Sequence, residues 1–225
     1  MTADLKPYFE AIAPDLDRWH RRNRYYYRDL ERLHQFLIPP QSQILQIGSG
    51  TGDLLASLEP ALGIGIDFAG TMTAIAQKKY AHRPELHFLT MEATQLTPAD
   101  LPGDHPLDYI LLSGVLGYLR DIQTVLECLA PLCDRRTRLL LVFHNYLWEG
   151  LLKAAEWVGL RQPQPPQNWL SMGDVLNLVA ISGYTPIKTG RRFLCPKPLP
   201  LLAPLINRCL APLPPINHLC LTNYV

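Results

Sequence analysis

The chain has 225 residues, of which 48% are apolar and 18% charged, with a formal net charge of +1. That composition belongs to a globular protein with a sizeable core and excludes a disordered chain. The charge balance gives no overall pull toward nucleic acid, no apolar run is long enough to span a bilayer, and the polar opening MTADLKPYFEAIAPDLDRWH is not a signal peptide. Cys128, Cys133, Cys195, Cys209 and Cys220 contain no CxxC pair, which points to neither a disulfide framework nor a zinc site. Reduced thiols and a cytoplasmic location are the expectation.

The first forty residues read as helical: Leu30, Leu33, Phe36 and Leu37 recur at helical spacing, and Pro39-Pro40 ends the run. Short apolar runs then predict strands over 44–47, 63–66, 86–89, 109–112 and 138–143. Helical patterns over 53–58, 71–80 and 122–132 lie between them. This alternation predicts an α/β protein with a parallel sheet and helices on both faces. Helices are expected over 148–160 and 171–183, separated by the turn-rich RQPQPPQN. A strand is expected over 185–196, and a short helix over 201–210 inside a Pro/Leu-rich stretch. A last strand is expected over 218–225, with a few further residues anticipated beyond it. No repeat or linker interrupts the chain, so 1–225 reads as a single domain. Its parts are a lid over 1–40, a core over 41–145 and a substrate side over 146–225.

The most informative stretch is ILQIGSGTGDLL, in which a strand runs into Gly48, Gly50 and Gly52 and then a helix. Such a turn places backbone N–H groups and the positive helix end beside a ligand, and glycine permits its close approach. The spacing G-x-G-x-G departs from the dinucleotide pattern G-x-G-x-x-G. Asp67 ends the next strand, about where ribose hydroxyls lie in folds of this kind.

From Ile38 to about Tyr184 the chain resembles the class I S-adenosylmethionine-dependent methyltransferases. The resemblance rests on ordered blocks: LQIGSGTGDLL, GIGIDFAGTMTAIAQKK, FLTMEATQLT, DYILLSGVLGYLRDIQTVLECLAPL and RLLLVFHNYLW. It implies a Rossmann-like, doubly wound, mostly parallel seven-stranded sheet under an N-terminal helical lid. Gly48, Ser49, Gly50, Thr51 and Gly52 would wrap the methionine half of S-adenosylmethionine, and Asp67 would hold the ribose hydroxyls. Phe68 would lie against the adenine, with Met72 in the same set, and Glu92-Ala93 would meet adenine N6. Ser113, Gly114 and Leu116 would line the pocket near the sulfonium, and Tyr26 or Tyr27 of the lid would reach the cofactor carboxylate. Gln46 departs from the family's usual acid, which predicts weakened but not abolished cofactor binding.

An activated methyl needs a nucleophile held in line, and a base only if the acceptor must lose a proton. His144, just past the fifth strand, is the best-placed candidate base, with Tyr146, His20 and His34 as others; a structural or acceptor-binding role for His144 stays open. No metal is expected, because the ends of the fourth and fifth strands offer Ser113 and His144-Asn145 rather than clustered oxygen ligands. SGVLGY lacks the Asn/Asp-Pro-Pro-aromatic pattern of methylation at base amino groups. The stretch DRWHRRNRYYYRDLERLH reads as a solvated lid helix or as a nucleic-acid contact, the lid being favoured at this net charge. PQPPQNWLS resembles a segment of bacterial methyltransferases found beside glycosyltransferases. The stretch 197–216 is too short to span a membrane; a cap, a dimer surface and an interfacial patch for a lipid-linked acceptor all remain open. The expected activity is methyl transfer to a small molecule, with a metabolite or sugar-lipid oxygen as acceptor and S-adenosylhomocysteine as product, by a monomer or homodimer. The alternatives are a non-catalytic binding protein of the same fold and an RNA methyltransferase.

Overall fold

The computed structural model describes residues 5–102 and 106–225. Seven strands form one sheet in the order β3-β2-β1-β4-β5-β7-β6. β1 (Gln43–Ile47), β2 (Leu62–Asp67), β3 (Leu86–Thr90), β4 (Tyr109–Ser113) and β5 (Arg138–His144) are parallel. β7 (Thr222–Tyr224) pairs antiparallel with β5, and β6 (Gly190–Arg192) completes the edge antiparallel to β7, so that β7 alone runs against the other six. The chain leaves β1 toward β2 and β3, then returns to place β4 on the other side of β1. That reversal opens a crevice at the carboxyl ends of β1 and β4, where open α/β sheets take their ligands.

Both faces of the sheet are buried because apolar residues run continuously along its inner strands. Leu45, Ile47, Ile110, Leu112, Leu141 and Phe143 face α5 (Ile122–Leu129) and α7 (Met172–Ile181). Ile44, Leu111, Leu140 and Val142 face the other way, against Leu33 and Ile38 and against Leu55, Ala56 and Ala76. Those partners belong to α2 (Arg24–Leu37) and the residue ending it, α3 (Asp53–Ser57) and α4 (Gly70–Lys79). Alternate residues thus serve opposite layers, as a pleated strand requires.

Three expectations change. The N-terminal lid is two helices, α1 (Lys6–Arg22) and α2, because Asn23 leaves helical geometry and its side-chain N–H donates back to Trp19 O at 3.3 Å. The strand foreseen over 185–196 shrinks to Gly190–Arg192. Phe193 turns the chain at φ +72°, and Asn207 Oδ1 accepts from Leu194 N and Cys195 N at 2.9 and 2.8 Å in place of a neighbouring strand. The last strand shrinks to Thr222–Tyr224, since Ile216–Leu219 coils and Asn145 Nδ2 donates to His218 O and Cys220 O at 2.8 and 3.0 Å. The Pro/Leu-rich stretch does hold a short helix, α8 (Leu202–Leu205), followed by a wider turn over Ile206–Leu210. All five cysteines are free thiols. No helix among the described residues is long and apolar enough to cross a membrane.

Candidate active site

The turn between β1 and α3 is shaped by two close approaches. A side chain at Gly48 would come within 2.9 Å of Val115, across the crevice after β4. At Gly52, with φ +84°, a Cβ would lie 2.6 Å from the Phe88 ring on β3. Both backbones are left-handed, so only glycine fits without strain. Asp67 closes the turn from β2: Gly50 N–H donates to Oδ2 at 2.9 Å and Ala69 N–H to Oδ1 at 3.0 Å. Burial pushes the Asp67 carboxyl upward in pKa, against the pull of those two N–H donors, and Glu10 and Glu92 add to the rise. Gln46 Oε1 and Ser49 Oγ are buried beside this turn without a hydrogen-bond partner among the described residues.

The lid is tied down by acids on α1. Glu10 accepts from Gly70 N–H and Thr71 N–H at 2.7 and 2.8 Å, supplying α4 with the N-terminal cap its own sequence lacks. Asp17 accepts from Thr51 Oγ1 and from Lys79 Nζ, at 2.7 and 2.6 Å. Lys79 also lies 2.5 Å from Asp53. Burial works against the Asp53 carboxylate, but hydrogen bonds from His20, Lys79 and Tyr80 outweigh it and hold the group well below its ordinary range. Asp17, His20 and Asp53 lie close enough together to hold a cation, a position the Lys79 ammonium already serves.

Between the lid and the sheet lies a cavity of about 880 Å³. The structure brings Tyr26, Tyr27, Gln46, Gly48, Ser49, Gly50, Thr51, Asp67, Phe68, Met72, Ser113, Gly114 and His144 into its wall, together with His20. Gly52, Glu92, Ala93 and Leu116 are not in the wall: Gly52 packs on Phe88, and Ala93 and Leu116 are core residues. Glu92 is exposed at the end of β3. Tyr146 is 48% exposed and also lies outside the wall, and His34 is buried on the core side of α2, outside the wall as well.

At the far end, Tyr26 Oη and His144 Nε2 are hydrogen-bonded at 2.9 Å. Burial pushes the His144 imidazole down to about 3, helped by the positive charge of Arg161, and it pushes both the Tyr26 and Tyr27 phenols up. His144 is therefore neutral at physiological pH, engaged through Nε2, and a weak proton acceptor. It can orient a hydroxyl or an acceptor, and it is ill suited to remove a proton.

Several wall residues lie outside the motifs read from the sequence. Phe9, Ile12 and Leu16 of α1 form the lid side, and Phe9 meets Phe68 and Tyr118 edge to face at 5.5 and 5.3 Å. Arg161, from RQPQPPQN, enters the wall paired with Glu156. Its segment is held by Tyr8 Oη donating to Pro163 O and by Tyr118 Oη donating to Gln164 Oε1 at 2.8 Å. The helical spacing of Phe9, Ile12 and Leu16 could have revealed the first group; nothing local marks Arg161.

Residues 45–139 match the family model described as a methyltransferase domain. No curated protein matches the sequence. Among solved structures, a methyltransferase from Thermotoga maritima described as a possible histamine N-methyltransferase superposes with a TM-score of 0.69 at 18% identity, covering 87% of this chain and 89% of that one. A methyltransferase from Aquifex aeolicus gives 0.63 at 18% identity, covering 96% of both chains. Magnesium protoporphyrin IX methyltransferase from Synechocystis, with bound S-adenosylhomocysteine, gives 0.61 at 20% identity, covering 83% and 90%. At these identities the likeness speaks for the fold. Residues 45–139 match a methyltransferase-domain model, and the chain as a whole has the fold of these S-adenosylmethionine-dependent methyltransferases.

Proposed function

We propose that the protein is a cytoplasmic S-adenosylmethionine-dependent methyltransferase acting on an oxygen of a small-molecule acceptor, a metabolite or sugar-lipid. The observation that carries this reading is one continuous cavity with two chemically different ends. At one end the glycine turn, Asp67 and Phe68 suit an adenosyl group. Each Asp67 oxygen receives one N–H and keeps a lone pair free for a ribose hydroxyl, while Phe68 offers a flat face. The unpartnered Gln46 Oε1 and Ser49 Oγ suit the polar methionine end, with Tyr27 across the cavity. When bound, the cofactor supplies an activated methyl on its sulfonium.

At the other end the chain's own residues position the acceptor. His144, neutral and held by Tyr26, contributes orientation rather than proton removal. Arg161, sharing its charge with Glu156, presents a guanidinium in a wall shared with buried tyrosines. The combination favours an acceptor oxygen that is already ionised, such as a carboxylate, whose lone pair attacks without a base. Calorimetry with S-adenosylhomocysteine, on the wild type and Asp67→Ala, tests the first end. Binding weakened more than about tenfold by the substitution is expected, since charge-assisted hydrogen bonds to two hydroxyls are lost. A wild type that binds no S-adenosylhomocysteine sinks the proposal. Transfer to a panel of small acids and sugars tests the second end, with Arg161→Gln expected to raise the acceptor KM more than it lowers kcat. The weak base and Gln46 favour a second reading, a binding protein that holds the cofactor but methylates nothing; cofactor binding with no transfer across the panel identifies it.

A further inference from the structure

Behind the lid lies a second groove, of about 980 Å³, formed where α1 and α2 meet the C-terminal segment. Arg22, Arg24, Arg28 and Arg32 line one wall, and Arg191 and Arg208 the other. The acid in the lining, Asp29, is taken bidentately by Arg192, with both N···O distances 2.9 Å. None of those six arginines forms an ion pair among the described residues, so the groove is strongly cationic on a chain whose net charge is only +1. Charge segregated in this way raises the local concentration of anions at one face.

The same face is apolar at its edge. Prolines break 197–216 into α8 and short turns, too little surface to fold its leucines inward. Leu201 is 90% exposed at φ +61°, and Leu202, Leu205 and Leu213 are exposed with it. α6 (Glu149–Trp157) ends beside this segment: Lys197 Nζ donates to Leu160 O at 3.3 Å, and Trp157 is 90% exposed. Leucines and a tryptophan beside arginines that form no ion pair among the described residues match the two demands of a bilayer surface, apolar insertion and anionic headgroups.

We propose that this face docks on a membrane surface rich in anionic phospholipid, the arginine groove taking headgroups while Leu201, Leu202 and Leu205 enter the acyl boundary. Asn23, Arg24, Arg28, Pro196 and Lys197 line both this groove and the central cavity. A headgroup in the groove therefore lies at the rim of the cavity. If the methyltransferase reading holds, the acceptor is an amphiphile collected from the bilayer surface.

Co-sedimentation of the full chain with phosphatidylcholine vesicles, with and without phosphatidylglycerol, tests this independently of methyl transfer. Binding to the anionic vesicles alone is expected, weakening steeply with added salt. The double variant Arg32→Glu/Arg208→Glu is expected to weaken it more than about tenfold. Leu201→Ser/Leu205→Ser is expected to weaken it about fivefold or more, by loss of apolar insertion. None of these four residues lines the central cavity, so thermal melting and S-adenosylhomocysteine binding should be unchanged and serve as the folding control. A wild type that ignores anionic vesicles overturns the proposal, as does vesicle binding that neither double variant weakens. RNA binding without vesicle binding also overturns it, and makes the groove a nucleic-acid site.

Discussion

The region from β1 to β5 and the segment from 197 to 225 pair their backbones by different means. In the first, strands follow one another in parallel register and helices return across both faces, so main-chain groups satisfy main-chain groups. In the second, Asn145 and Asn207 do much of that work, reaching 73 and 13 positions along the chain to carbonyls and N–H groups that have no strand beside them. Among the described residues the first region leaves none of its leucines or isoleucines exposed, while the second leaves many of its leucines in solvent. Periodic segments build a rigid ligand crevice; a proline-broken one builds a surface that only a few side-chain ties hold in place.

The largest expected effect breaks the first region at its tightest point. Gly52→Ala combines a left-handed backbone with a Cβ driven 2.6 Å from the Phe88 ring, at a cost of about 2–4 kcal/mol. Scanning calorimetry should show the melting point falling by about 5–15 °C. A drop below a degree would show that the turn is looser than its geometry indicates.

Acid stability comes next. Burial pushes His34 down to about 4, with Nδ1 against Leu30 O at 2.7 Å and Nε2 buried without a partner among the described residues. The unfolded chain binds a proton below the ordinary histidine value of about 6.5 while the folded chain does not. Stability is therefore lost as pH falls from about 6.5 toward about 4, by up to about 1.4 kcal/mol per pH unit. His144 contributes in the same direction. Urea midpoints of His34→Leu should vary less with pH over that window than the wild type's; an equal slope would place the effect elsewhere.

Gln46→Glu sharpens the comparison within the crevice. A carboxylate there lacks a partner until a cationic ligand arrives, so the ligand-free protein should melt lower. Cofactor binding should tighten by about 1–2 kcal/mol, read by titration calorimetry, because the ammonium gains a charge-assisted contact. Unchanged affinity would count against any contact between position 46 and the ammonium. The smallest effect is reserved for the second region: Leu213→Ser, at a residue 48% exposed, should shift stability by no more than about 0.5 kcal/mol. A larger loss would mean that its leucines pack on something other than solvent.

Much of the crevice was legible because it is local. The glycine turn, Asp67 and Phe68 follow their strands directly, and strand ends in an open sheet point to the crevice whatever the sequence elsewhere. Glu92-Ala93 shows where that logic stops. The pair lies just past β3, two strands away from β1, where Ala93 already opens a short helix, and both residues stay outside the cavity wall. The acceptor end was scarcely legible at all. His144 was visible at the end of β5, but its neutrality and its pairing with Tyr26 depend on burial by a lid 118 positions away.

The order of strands and helices, the two-layer core and the glycine turn were determined by the sequence alone, because periods of two and 3.6 residues and the absence of a Cβ act over a few neighbouring positions. Tertiary structure decided the shortened β6 and β7, the entry of Arg161 into the cavity wall, and the gathering of arginines from α1, α2 and the C-terminal segment into one groove. Each of these depends on side chains meeting across long separations in the chain, where burial and charge are set by the assembled fold.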